Sequence, residues 1–161
     1  MPSRYPVPKP DALGSLVTGL IATATEVSFT DAQDPERDAS GVFAEWINDS
    51  DELAVLGFGD HDIVNFAGGA MMGIEAAALV ELGATGVLHE ESIEGFREVG
   101  NVLTSCFNTD FTRHLRLRNL QKLPGQIEDD VKQLWRAPRA RRAYRFSVEN
   151  FGAGNLILYF S

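Results

Sequence analysis

The stretch "ESIEGFREVGN", residues 91–101, places Glu94, Glu98 and Asn101 at four- and three-residue spacing. A carboxamide can accept one hydrogen bond and donate another without adding charge, whereas a carboxylate only accepts. On a helical wheel of about 100° per residue, Glu94, Glu98, Asn101 and Ser105 fall within roughly 60° of one another. They form one compact row, predicted to face solvent. Stability did not choose it: Glu94 and Glu98 repel slightly at i, i+4, and asparagine is a mediocre helix former. On another side Ile93, Phe96, Gly100, Leu103 and Phe107 fall within roughly 80° and predict the buried stripe. Gly95 and Gly100 each cost about 1 kcal/mol relative to alanine. Gly100 lies in the stripe, where a missing side chain lets another backbone come close. The same polar row also reads as an ordinary solvated helix face.

Other residues offer less. Asp60, His61 and Asp62 suggest a metal site, but Asp60 reads as a helix cap and no fourth ligand is in view. No metal is expected. "AGGAMMG" is neither a dinucleotide fingerprint nor a phosphate-binding loop. Cys106, the single cysteine, lies to the side of the stripe without a partner histidine and reads as a structural thiol. His89 and His114 receive no role.

The elements that must position these residues follow from periodicity. Residues 1–10 form an irregular, proline-rich arm, and 11–161 read as one domain. Leu13, Leu16, Val17, Leu20 and Ile21 predict a helix over 11–24, with Asp11 as a cap. "VSFT" begins a strand. "GVFAEWI" and "ELAVLGF" form a hairpin around "NDSD". Asp60 then caps a helix. Residues 74–84 are a second helical piece closed by Gly83 and Gly86. A long helix spans 90–108. "TRHLRLRNL" alternates as a strand, with Arg113, Leu115, Leu117 and Asn119 on one side. "IEDDVKQLW" is a short helix, and a hairpin turning at "FGAG" ends the chain. No internal repeat is legible. The order predicts a mixed α/β domain with a mainly antiparallel sheet.

The chain has 161 residues, 44% of them hydrophobic, which suffices for one core without disulfides. A net charge of −9 argues against nucleic acid as a partner. Residues 111–145 hold ten basic against three acidic residues, and the remainder four against twenty. Such asymmetry can steer a charged partner. "RAPRARRAYR", 136–145, reads either as a docking patch or as a solvated loop and strand start. No stretch reaches the roughly 20 apolar residues of a membrane span and no secretory signal is seen, so a soluble, cytoplasmic protein is expected.

Asn101 is followed by twenty-two residues and then Pro124. With Glu98 three residues earlier, this resembles the CheC/CheX/FliY group of bacterial chemotaxis phosphatases. Their helix carries Asp or Ser, three residues, Glu, two residues, Asn, then twenty-two residues and Pro. Glu94 stands where that pattern has Asp or Ser. "GVFAEWINDSDELAVLGFGDHDIVNFAGGAMMG" and the closing hairpin are similar too, so the resemblance covers most of residues 11–160. The first helix has no E-x-x-N, and one motif in a chain of this length looks most like CheX.

The resemblance implies a CheC-like single domain with two long helices related by a pseudo-twofold axis. It implies hydrolysis of the aspartyl phosphate on a CheY-type response regulator, whose receiver domain supplies Mg²⁺, with no cofactor in this chain. Glu98 would pair with the receiver's active-site lysine, and Asn101 would position the attacking water. Glu94 and Ser105 would contact the partner, and Pro124 would shape the site. A homodimer is implied as well. The alternative on the same fold is a non-catalytic, flagellar-switch-like binding module.

Overall fold

The computed structural model describes residues 3–36, 38–108 and 114–161. Six antiparallel strands form one sheet in the order β1-β5-β6-β3-β2-β4. They are β1 (Thr25–Thr30), β2 (Gly41–Ile47), β3 (Leu53–Asp60), β4 (Arg116–Leu123), β5 (Ala140–Val148) and β6 (Gly152–Phe160). Six α-helical segments complete the described fold: α1 (Pro10–Ile21), α2 (His61–Ile63), α3 (Gly69–Met71), α4 (Ala76–Thr85), α5 (Glu90–Leu103) and α6 (Asp129–Arg136). A π-helical turn, Val64–Gly68, joins α2 to α3.

The central strands are apolar because both faces are covered. All seven residues of β2 are buried. On one face Leu13 and Val17 of α1, Phe96, Val99 and Leu103 of α5, and Ile63, Val64 and Phe66 pack over Trp46, Val55 and Leu158. On the other, Val131 and Leu134 of α6 pack over Phe43, Leu56 and Ile157.

The strand order carries a symmetry that is not legible in the sequence. Exchanging β1 with β4, β2 with β5 and β3 with β6 reverses the order onto itself, so a pseudo-twofold passes between β3 and β6. Each half is a helix followed by three strands, with α1 and α5 as counterparts. A Cβ on Gly14 of α1 would lie 3.5 Å from Val27 of β1, and one on Gly100 of α5 would lie 3.2 Å from Leu117 of β4. These matching contacts put Ala12 and Ser15, both exposed, where α5 carries Glu98 and Asn101.

Several boundaries differ from the sequence reading. α1 starts at Pro10 with Lys9 at its N-cap, and Asp11 makes no capping bond. Proline at the first position already supplies helical φ and needs no N–H partner. The helix ends at Ile21, where Ala22 turns left-handed at φ 54°. Gly86, at φ 70°, closes α4, while Gly83 lies inside it. α5 ends at Leu103 and tightens into a 3-10 turn, Thr104–Cys106.

The last hairpin turns at Glu149–Phe151, with Asn150 at φ 68°, a conformation asparagine tolerates. Gly152 and Gly154 belong to β6 instead. Their missing side chains admit the Phe66 ring, 2.6 Å from a Cβ on Gly152, and Ile63 Cα, 2.8 Å from one on Gly154. β4 begins at Arg116, and the predicted Thr112–Arg113 start lies outside the described residues. A bulge sets both Arg118 and Asn119 against Glu45 of β2, which breaks the expected alternation.

Candidate functional site

α5 begins after His89 with Glu90 and Glu91 in its first turn, where negative charge suits the helix dipole. Its buried side comprises Ser92, Ile93, Gly95, Phe96, Val99, Gly100 and Leu103. That contains the predicted Ile93, Phe96, Gly100 and Leu103 and widens the stripe to Ser92, Gly95 and Val99, while Phe107 is buried just beyond the helix. Glu94, Glu98, Asn101 and Ser105 are all exposed on the opposite side. Glu94 lies 3.6 Å from Arg97, and the Ser105 hydroxyl donates to Val102 O at 2.9 Å. Among the described residues Glu98 and the Asn101 carboxamide have no hydrogen-bond or ion-pair partner.

The backbone crossing that repays the glycines falls at Gly95, not Gly100. A Cβ on Gly95 would overlap the carbonyl of Gly68 in the π-helical turn, and one on Gly68 would overlap the carbonyl of Ser92 and sit 2.8 Å from Phe96 N. Gly100 meets side chains and no backbone: the end of Leu117 and the edge of the Trp46 ring. So the helix is fixed by backbone-to-backbone packing directly beneath its polar row. Its far end is held separately. Trp46 Nε1 donates to Thr104 Oγ1 at 2.9 Å, and Thr104 Oγ1 donates to Gly100 O at 3.0 Å. Phe107 packs edge-on against Trp46, with centroids 5.2 Å apart.

Pro124 lies elsewhere. It is exposed after β4, and Lys122 at the end of that strand pairs with Glu90 at 3.0 Å. Glu98 is eight residues further along the helix, about 12 Å at 1.5 Å per residue. The fold therefore brings Glu94, Glu98, Asn101 and Ser105 onto one face and leaves Pro124 toward the other end of α5.

The remaining candidates hold structural positions. Asp60 Oδ1 accepts from Ile63 N and Oδ2 from Asn155 N, both at 2.9 Å. Burial raises its carboxyl pKa, and these two N–H groups pull the other way. No group of three metal-ligating side chains occurs among the described residues. Cys106 is half-buried against the larger core, and burial pushes its thiol up, away from the reactive thiolate. His89 donates its backbone N–H to Asn65 Oδ1 at 3.2 Å, and His114 is exposed. In the basic stretch, Arg141 pairs with Asp34 at 2.7 Å, while Arg136, Arg139, Arg142 and Arg145 are exposed.

No family model and no curated protein matches the chain. Solved structures do. FliY of Thermotoga maritima superposes with a TM-score of 0.65 at 12% identity, covering 92% of this chain and 82% of that one. FliM in a FliM–SpeE complex from H. pylori gives 0.64 at 5% identity, covering 94% and 80%. CheX in a CheX–CheY–BeF3–Mg²⁺ complex from Borrelia burgdorferi gives 0.54 at 11% identity, covering 92% of each.

The chain has the CheC/CheX/FliY fold.

In that fold the mixed α/β layers, the six-stranded antiparallel sheet and the two pseudo-twofold helices are the ones expected from the resemblance. No helix among the described residues is long and apolar enough to cross a membrane.

Proposed function

We propose that this protein is a phosphatase of a phosphorylated CheY-type response regulator in the cytoplasm, acting through Glu98 and Asn101. The observation that carries this reading is the exposure of both side chains on one rigidly packed helix, free of partners among the described residues. In support, a CheX of the same fold was crystallised with CheY, BeF3 and Mg²⁺.

An acyl phosphate is already reactive, so the helper protein need only place water in line. The Asn101 carboxamide accepts from that water and donates to a neighbouring oxygen without adding negative charge beside the phosphoryl group. The water oxygen bonds to phosphorus, the aspartyl oxygen leaves with its electron pair, and inorganic phosphate departs. Glu98, one turn earlier, pairs with a receiver lysine and fixes the register. Mg²⁺ belongs to the receiver. Glu94 and Ser105 flank the contact, and Pro124 acts only on the frame of β4. A homodimer is compatible with this use of α5.

The test is phosphate release from phosphorylated receivers with wild type and Asn101→Ala. Wild type accelerates release and the variant does not. Asn101→Ala stays as stable as wild type or gains up to about 0.7 kcal/mol, because alanine is the better residue in an exposed helix interior. Equal acceleration by both proteins sinks the assignment of Asn101. The second reading is a non-catalytic binding module, favoured by Glu94 at the motif's first position and by a TM-score to FliM of 0.64 against 0.54 to CheX. It requires binding without release by either protein.

A further inference from the structure

Gly95, on the buried side of α5, lets a second element come against the helix, and one residue of that element stays exposed beside it. Glu91, Gly95, Glu98 and Val102 follow i, i+4, i+7, i+11 spacing and so stand in one column. A Cβ on Gly95 would lie 2.9 Å from Met72 Cγ. The Gly68 carbonyl takes the place of the missing side chain, and Met72, just past the end of α3, lies beside it with 47% of its surface exposed. Residues three and four apart on a helix are neighbours at roughly 5–6 Å between Cβ atoms. Met72 therefore stands beside the turns of α5 that carry Glu91 and Glu98.

We infer that Met72 is the apolar anchor of the docking surface on α5, and that the partner is a receiver presenting an aliphatic or aromatic side chain beside a basic one. This rests on the phosphatase reading of α5 and names the chemistry of its partner. Charge complementarity selects that partner. Glu91 and Glu98 flank Met72, both exposed, and among the described residues neither is neutralised by a cation of this chain. A basic group landing between them gains from both, and the adjacent thioether covers whatever apolar surface accompanies it. Methionine suits the task because its unbranched, polarisable side chain adapts to irregular partners. The Gly95–Gly68 backbone crossing brings the end of α3 close enough for Met72 to reach the column. The two glycines and the methionine are therefore one device.

The experiment is steady-state phosphate release as a function of phosphorylated receiver concentration. Met72→Ala is expected to raise KM about tenfold. Its kcat stays within about twofold, the signature of lost uniform binding. Met72→Leu restores KM to within about twofold of wild type. Val80→Ala, removing another exposed apolar side chain on α4, changes neither. An unchanged KM for Met72→Ala, with wild type active, overturns the anchor and leaves the phosphatase reading intact. If wild type is inactive, the phosphatase reading falls. Binding of the receiver loaded with BeF3 and Mg²⁺ then decides the anchor: weaker binding by Met72→Ala sustains it, and equal binding, or none by wild type, overturns it.

Discussion

Gly95→Ala should destabilise the protein although it replaces glycine in the middle of a helix. Ordinarily that exchange stabilises by about 1 kcal/mol. At Gly95 the new Cβ would overlap the Gly68 carbonyl and meet Met72 Cγ at 2.9 Å. The obstacle is backbone from a second buried element, so no rotamer change relieves it and α5 must move off the π-helical turn. Overpacking of that kind costs about 1–3 kcal/mol. Because backbone meets backbone, the upper end applies, and the net loss is about 2 kcal/mol.

Two controls surround it. A Cβ on Gly19, in α1, meets nothing within 4 Å and should give the full gain of about 1 kcal/mol. A Cβ on Gly100 meets Leu117 Cδ2 at 3.2 Å, the flexible end of a half-buried side chain, so its change should fall between zero and about +1 kcal/mol. Urea unfolding followed by tryptophan fluorescence reads the series, with Trp46 in one core and Trp135 against the other. In heat, a loss of 2 kcal/mol corresponds to a Tm about 4–8 °C lower for a domain of this size. If Gly95→Ala is as stable as wild type, or matches Gly19→Ala, the crossing does not constrain the helix. The explanation of its glycines would then be wrong.

Arg118→Met should cost about 3 kcal/mol, because it strips the principal partner from Glu45, whose side chain is only 3% exposed. The double variant Glu45→Met/Arg118→Met should recover most of that loss in the same urea experiment, and a double variant no better than the single one would refute the pairing. Stability should also fall above about pH 10. Burial raises the phenols of Tyr144 and Tyr159 above their ordinary value of 10, and for Tyr159 the hydrogen bond to Asp34 adds to it. A raised folded pKa means the folded state holds protons that the unfolded chain releases. The contribution is therefore complete below pH 10 and is lost as pH rises toward the folded values. Urea midpoints from pH 8 to 11 should decline, and Tyr144→Phe should flatten the decline while removing the bond from its hydroxyl to Pro8 O.

The sequence by itself determined the periodic and local features. The wheel of α5 placed Glu94, Glu98, Asn101 and Ser105 on one exposed face, because 3.6-residue periodicity decides which side chains share a side. It located β2 and β3 as a hairpin, and the cap at Asp60, whose carboxylate reaches a backbone N–H three residues on. Tertiary structure alone decided what depends on contacts between distant segments. Gly95 and Gly100 look alike in a string, yet only Gly95 crosses a second backbone, since its neighbour Gly68 lies twenty-seven positions earlier in the chain. The bulge at Arg118–Asn119 answers Glu45 on another strand, and Gly152 and Gly154 are strand residues because Phe66 and Ile63 need the room. The pseudo-twofold is a property of strand order, which periodicity does not encode. Met72 comes beside α5 only because the end of α3 packs against that helix at Gly95. A residue's own spacing fixes the face it occupies, and the packing of other elements fixes what shares that face.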